Sequence, residues 1–260
     1  MGGVVVRAEP AGDFDYDAFA IDYASIRRPE PRFLAAIEAA LGDARTLINV
    51  GAGAGSYEPD RLVVAPVEPS ASMRAQRPVD RALAIDAAAE DLPFPDQSFD
   101  AALASFTVHQ WRDLDRGLAE LRRVARGPIV VLTFDPDELQ RFWLTDYAPE
   151  VTAAESRRMP AMSTLVEGLG PSTTIEALAI PARCTDGIVE AYFGRPEAFL
   201  DERVRRAQSS WGFVEEQAQA DAVERLRSAL DDGSWDERHG HLRTAAEYDG
   251  SLRLVVSTER

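Results

Sequence analysis

The sequence predicts an α/β fold, a mostly parallel sheet with helices on both faces in a single domain. Three observations predict it. From Thr46 onward short apolar runs alternate with helical stretches, and strands separated by helices pair in parallel through crossovers. TLINV and PIVVLTF are apolar almost throughout, as strands covered on both faces are. The 260 residues, 45% of them hydrophobic, suit one large core better than two full domains.

Taken in order, residues 13 to 41 read as a short aromatic helix, a proline-punctuated break and a second helix with apolar Phe33, Leu34, Ile37 and Leu41, stopped by Gly42. TLINV is the first strand and ends in a glycine turn. RLVVAPVE is the second, followed by the helix PSASMRAQ. ALAID and AALASF are the third and fourth, then the helix DLDRGLAELRRVA and the fifth strand PIVVLTF. Beyond Phe134 the regularity weakens: residues 136 to 170 read as helices broken by Pro149 and Pro160, TTIEALAIP as a strand, roughly 187 to 232 as helical, and GSLRLVVSTE as a last strand.

Composition removes several classes of function. The formal charge is −16, which disfavours nucleic acid, whose binding rests on basic residues displacing counterions. All 28 basic residues are arginine, so there is neither a Schiff-base lysine nor a P-loop lysine. Cys184 is the single cysteine, which excludes an internal disulfide and a thiolate metal cluster and fits a reducing cytoplasm. The longest apolar runs fall far short of a spanning helix, and MGGVVV has Val6 where a myristoylation signal needs Ser or Thr. The expectation is a cytoplasmic protein without a membrane anchor.

The stretch LINVGAGAGSYE places Gly51, Gly53 and Gly55 directly after a strand. Glycines there let the backbone take positive φ and approach a ligand closely. The dinucleotide fingerprint would place its third glycine at position 56, which is Ser56. Glu68 ends the second strand, within reach of the roughly 20-residue spacing of a ribose-binding acid.

With VGAGAG and VEPS, the segment AEDLPFPDQSFDAALASFTVHQW, residues 89 to 111, closely resembles the class I S-adenosylmethionine-dependent methyltransferases, most of all the ubiquinone/menaquinone-biosynthesis-type small-molecule enzymes. The resemblance covers roughly residues 14 to 135. It implies a Rossmann-like sheet of seven strands with the last one antiparallel, an N-terminal helical lid over about residues 13 to 41, and a cofactor core over about 44 to 135. A helical cap after the fifth strand, about 136 to 245, and a last strand at about 250 to 259 complete it. It implies S-adenosylmethionine as cofactor, S-adenosylhomocysteine as product, and no metal. Gly51, Gly53 and Gly55 would contact the cofactor, Glu68 the ribose hydroxyls, Ala88, Ala89 and Glu90 the adenine, and Ser105 and Phe106 the methionine part. Tyr23 and Arg28, with Arg27 as the alternative donor, would close over the cofactor carboxylate, for which a planar guanidinium is suited. Two departures stand out: Asn49 replaces an acid at the end of the first strand, and Ala88 replaces an adenine-binding Asp, leaving adenine to main chain and apolar packing.

Methyl transfer from a sulfonium is an in-line displacement in which positioning carries much of the catalysis. A protic acceptor must also lose a proton. Of His109, His239 and His241, His109 lies just after the fourth strand and is the candidate base, with loop orientation as its alternative role. Tyr16, Trp143, Tyr147 and Tyr192 are candidates to contact a small-molecule acceptor in a monomer or homodimer. Two competing readings remain open, an NAD-dependent oxidoreductase and a non-catalytic S-adenosylmethionine-binding or interaction module.

Overall fold

The computed structural model describes residues 26 to 258. Tyr16, Tyr23 and the first aromatic helix lie outside the described residues. Helix α1 (Pro31–Leu41) forms as expected: Glu30 accepts the Arg32 N–H at its start, Pro31 sits in the first turn, and Gly42 ends it at φ 55°. These are positions where a missing N–H and a missing Cβ cost least. Phe33, Ile37 and Leu41 are buried.

Six strands make the main sheet. β1 (Thr46–Val50), β2 (Val63–Val67), β3 (Ala101–Ser105), β4 (Ile129–Phe134) and β5 (Thr173–Ala177) are joined by β8 (Leu252–Ser257), while β6 (Ile180–Pro181) and β7 (Glu247–Tyr248) form a separate ribbon. The order is β2-β1-β3-β4-β8-β5. β1 pairs in parallel with β2 and β3, and β3 with β4, whereas β8 runs antiparallel to both β4 and β5.

Among the described residues the main sheet has six strands where seven were expected. ALAID contributes one bridge, Ile85 to Val67, held by the Ile85 N–H on Pro66 O and the Glu68 N–H on Ile85 O. Leu83 beside it is 90% exposed, so this run lacks the two-sided burial that would extend it into a strand.

Along the central strands, successive side chains enter opposite cores. Leu47, Leu103, Val130 and Leu132 face the side covered by α1. Ile48, Ala102, Ala104 and Val131 face the other, with Leu118, Leu121 and Val124 of α3 (Leu114–Val124) and Leu165 and Leu169 of α6 (Met162–Leu169). Preceding α3 in the chain is the single-turn helix α2 (Ala71–Ala75); α4 (Pro136–Leu139) and α5 (Pro149–Arg158) lead into α6. The region after β4 is therefore not one insertion, since α6 and β5 return to the sheet. Between β6 and β7 the chain forms short 3₁₀ turns with α7 (Glu202–Arg206), α8 (Glu216–Asp231) and α9 (Ser234–His239). Among the described residues no helix is long and apolar enough to cross a membrane.

Candidate functional site

The carboxyl ends of β1, β2 and β3 meet at one edge of the sheet, the place where open α/β sheets bind ligands. After β1 the chain turns back at once: the N–H groups of Gly51 and Ala52 both donate to Val67 O at 2.9 Å. Gly51, Gly53 and Gly55 all take positive φ, at 70°, 52° and 93°. Gly51 has a second reason to be glycine. A Cβ there would lie 1.9 Å from Thr107 Oγ1, just past β3.

Glu68 ends β2 and is buried. One carboxylate oxygen accepts the Gly53 N–H at 2.9 Å and the other the Ser70 N–H at 2.8 Å. Burial pushes its carboxyl up, and the Ser70 and Gly53 N–H groups pull it back. The acid thus fixes the glycine turn against the start of α2.

Beneath the turn lies a buried charge pair that sequence reasoning missed. Arg77 reaches both oxygens of Glu58, at 3.0 and 2.8 Å, and Asn49 Nδ2 donates to the same carboxylate at 3.0 Å. Asn49 is thus paired with an acid from the following loop, Glu58, whose charge Arg77 neutralises. Asn49 Oδ1 is buried without a partner. SYEPD carries no spacing signal for this pair, because Arg77 comes from beyond the end of α2.

Of the residues expected along adenine, Ala88 is exposed, Ala89 is buried, and Glu90 accepts the Arg112 and Asp113 N–H groups at 2.7 and 3.1 Å. That contact holds the 88 to 90 stretch against the start of α3. Ser105 closes β3. Phe106 comes next at φ 53°, its ring 6.0 Å from that of Tyr57 and 5.2 Å from that of Phe134. The Arg27 guanidinium lies over the Phe106 ring at 5.2 Å, while Arg28 is exposed. Arg27, the alternative donor, is therefore the arginine turned toward the site, and Asp186 holds its Nε at 2.5 Å.

Behind Phe106 is a small cavity lined by His109, Phe134, Ile188, Val189 and Gln208 among others. Burial, then the charges of Arg158 and Arg27, lower the His109 pKa to about 3. The ring is neutral at ordinary pH. Its Nδ1 is buried without a partner, and its Nε2 lies 3.4 Å from Gln110 Nε2.

The expected acceptor aromatics are placed elsewhere. Trp143 is buried among Trp235, Phe199 and Tyr147, with its Nε1 donating to Phe193 O. Tyr147 is buried in that cluster as well, and the half-buried Tyr192 packs on Phe199 and Arg195. None of the three lines the cavity beside His109. A region built of short helices and turns has few apolar positions per element, so its own core consumes the large aromatics. His239 meets Asp146 at 3.2 Å. Among the described residues no group of three His, Cys, Asp or Glu side chains is placed to hold a metal.

Comparison with known proteins agrees with this edge-of-sheet arrangement. Residues 48 to 128 match the family described as Methyltransferase domain. A ubiquinone/menaquinone biosynthesis C-methyltransferase of Citrifermentans bemidjiense is 38% identical over 76 residues, which cover 26% of this chain and 32% of that protein. The match thus spans about a third of that curated relative. The crystal structure of a "putative methyltransferase from antibiotic biosynthesis pathway" of Anabaena variabilis superposes with a TM-score of 0.84 at 29% identity, covering 91% of this chain and all of that one. The geranyl diphosphate C-methyltransferase of Streptomyces coelicolor, solved with S-adenosylhomocysteine, has the same fold at 15% identity and a TM-score of 0.51, over 88% of this chain and 78% of that one.

Proposed function

We propose that this chain is a class I S-adenosylmethionine-dependent methyltransferase, similar to the ubiquinone/menaquinone-biosynthesis type over part of its length, and that it methylates a small-molecule acceptor. The observation that carries the reading is the meeting, at one sheet edge, of a positive-φ glycine turn, a buried strand-end acid and an aromatic-floored cavity.

The residues present fit the cofactor. Gly51, Gly53 and Gly55 offer backbone without Cβ atoms, and a strand-end carboxylate at Glu68 is suited to a ribose diol. Asn49 Oδ1 is a buried acceptor with no protein partner. Ala88, Ala89 and Glu90 would border the adenine, and Ser105 and Phe106 the methionine end. When bound, S-adenosylmethionine supplies an electrophilic methyl group on a good leaving group.

The chain's own part is to bind, orient and exclude water. Phe106, Phe134, Ile188 and Val189 supply the apolar part of the cavity wall and Arg27, Glu155, Gln208 and Ser209 the polar part; at about 30 Å³ it has room for little more than a water, so an acceptor needs the wall to open. His109, with its pKa near 3, holds a protic acceptor by a ring nitrogen rather than carrying its proton away, since a base so weak has little driving force for net abstraction. This disfavours the general base; holding the acceptor is a role distinct from the loop orientation expected as its alternative.

Calorimetric titration with S-adenosylmethionine, S-adenosylhomocysteine and NAD in parallel tests the reading. Micromolar binding of the first two and none of NAD is expected. NAD binding alone would favour the oxidoreductase, and cofactor binding without turnover on any acceptor the non-catalytic module.

A further inference from the structure

Asp186 joins three parts of the chain that are far apart in sequence. It is 2% exposed. Its Oδ2 accepts the Tyr57 hydroxyl at 2.7 Å and its Oδ1 accepts Arg27 Nε at 2.5 Å. The Tyr57 oxygen in turn accepts the Glu30 N–H at 3.1 Å. Tyr57 stands two residues past Gly55, and Ile188 and Val189 of the cavity wall stand two and three residues past Asp186. Residues 27 and 186 also pair as an isolated antiparallel bridge, and the Gly187 N–H donates to Ile26 O at 3.0 Å. A Cβ on Gly187 would lie 2.4 Å from Ile26 Cγ2 and 2.9 Å from Ile26 O, so the two segments are closely packed.

Backbone strain collects at the same place. Tyr57 (φ 59°) and Phe106 (φ 53°) are two of the three non-glycine residues at positive φ among those described. Such conformations persist when their surroundings over-determine them. Their rings contact each other, and Arg27 covers Phe106. Burial raises the Tyr57 hydroxyl far above the ordinary phenol range, so it remains a donor to Asp186. A buried carboxylate that loses one partner is strongly destabilised, so the set favours being either whole or open.

We propose that Asp186 is a positioning residue that couples the glycine turn to the acceptor cavity: through Tyr57 and Arg27 it holds the 184 to 192 segment closed when the turn is in its cofactor-holding form. The inference rests on the cofactor reading above. It assigns an order to the site, in which the cofactor loads first and the cavity wall then sets around the acceptor.

Hydrogen exchange of the full chain, with and without saturating S-adenosylhomocysteine, tests it, with binding followed separately by calorimetry. In the unaltered protein the ligand should slow exchange both at 51 to 58 and at 184 to 192, the latter by about fivefold or more, the lower end of ordinary coupling. In Tyr57→Phe, saturated with the same ligand, protection at 51 to 58 should persist while that at 184 to 192 falls to the ligand-free rate. Asp186→Asn, which keeps the volume of the side chain, should do the same and serves if Tyr57→Phe does not fold by near-ultraviolet circular dichroism. Protection confined to 51 to 58 in the unaltered protein, or equal protection of 184 to 192 in all folded variants, overturns the coupling. Absence of any binding heat overturns the cofactor reading and the coupling with it, and the heat distinguishes that failure from the others.

Discussion

Gly51→Ala tests the architecture of the turn, and Gly42→Ala is its internal control. Both glycines have positive φ, 70° and 55°, but a Cβ on Gly42 meets nothing within 4 Å, whereas one on Gly51 lies 1.9 Å from Thr107 Oγ1 and 2.6 Å from Thr107 Cβ. The control, at φ 55° and ψ −130°, lies outside the left-handed helical basin, so it should lose only the cost of an alanine held in that glycine-favoured conformation, about 1 to 3 kcal/mol. Gly51→Ala adds an overlap. Thr107 is buried and rotation of its side chain leaves the Cβ contact in place, so the backbone must shift, which overpacking data put at about 1 to 3 kcal/mol more. The total for Gly51→Ala is about 2 to 6 kcal/mol, and urea titration of the two variants reads how far it exceeds the control. Thr107→Ala in the Gly51→Ala background should restore part of the loss, not all, because the 2.6 Å contact remains. Calorimetry with S-adenosylhomocysteine should show the affinity lost in Gly51→Ala and kept in Gly42→Ala. Equal stability and equal binding in the two variants would refute the claim that close approach of Thr107, rather than φ alone, requires glycine at 51.

Glu68→Ala should weaken S-adenosylhomocysteine binding by roughly 1.5 to 3 kcal/mol in the same calorimetric assay, with a smaller loss of stability because the Gly53 and Ser70 N–H groups lose their acceptor; unchanged affinity sinks the ribose assignment. Arg77→Ala strands the buried Glu58 carboxylate and should cost about 3 to 5 kcal/mol in urea unfolding, whereas Glu58→Gln with Arg77→Met together should cost much less. The pH profile of turnover should show no inflection from His109 near pH 6.5, because the ring gains a proton only as pH falls toward its pKa of about 3. An inflection near 6.5 that His109→Asn abolishes would count against a neutral, orienting imidazole.

What was legible in the sequence was local. β1, the glycine turn, β2 and α3 lie in one uninterrupted stretch whose strand and helix periods are intact, and the resemblance lies in the same stretch. ALAID misled because its apolar letters satisfy a strand pattern while its covering element is missing; Val79 and Leu83 stay exposed, and sequence pattern does not register an absent neighbour. Trp143 and Tyr147 have the chemistry of a binding surface and also supply volume that closes a core, and the sequence does not distinguish the two uses. The Tyr57–Asp186 contact spans 129 positions, and no local signal announces a partner at that distance. Arg27 and Arg28 stand side by side, and only the fold decides that Arg27 turns inward.

Glu190 ties this cap to the sheet by a bond with a pH limit. Its carboxylate is fully buried and accepts from the Ser251 N–H and from Ser251 Oγ at 2.8 Å, just before β8. Burial raises its pKa from 4.5 to about 7, against the pull of the Ser251 donors. A folded value above the unfolded one means that the contribution to stability is full below about pH 4.5 and declines as pH rises, being lost through 7. The difference between 4.5 and about 7 corresponds to about 3 kcal/mol across that window. Every other titrating group is common to the protein and to Glu190→Gln, so the difference between their unfolding free energies at about pH 5, 6, 7 and 8 isolates this one. The glutamine keeps a carbonyl for Ser251 but never ionises. Relative to the unaltered protein the variant should therefore gain stability with rising pH, by about 2.5 kcal/mol between about pH 5 and 8, the rest of the effect lying below about pH 5, whatever fixed cost its amide brings beside Gly250. Parallel pH profiles would mean that Glu190 stays ionised in the folded state, with the Ser251 donors outweighing burial, and the junction between the cavity wall at Val189 and β8 would then be insensitive to pH.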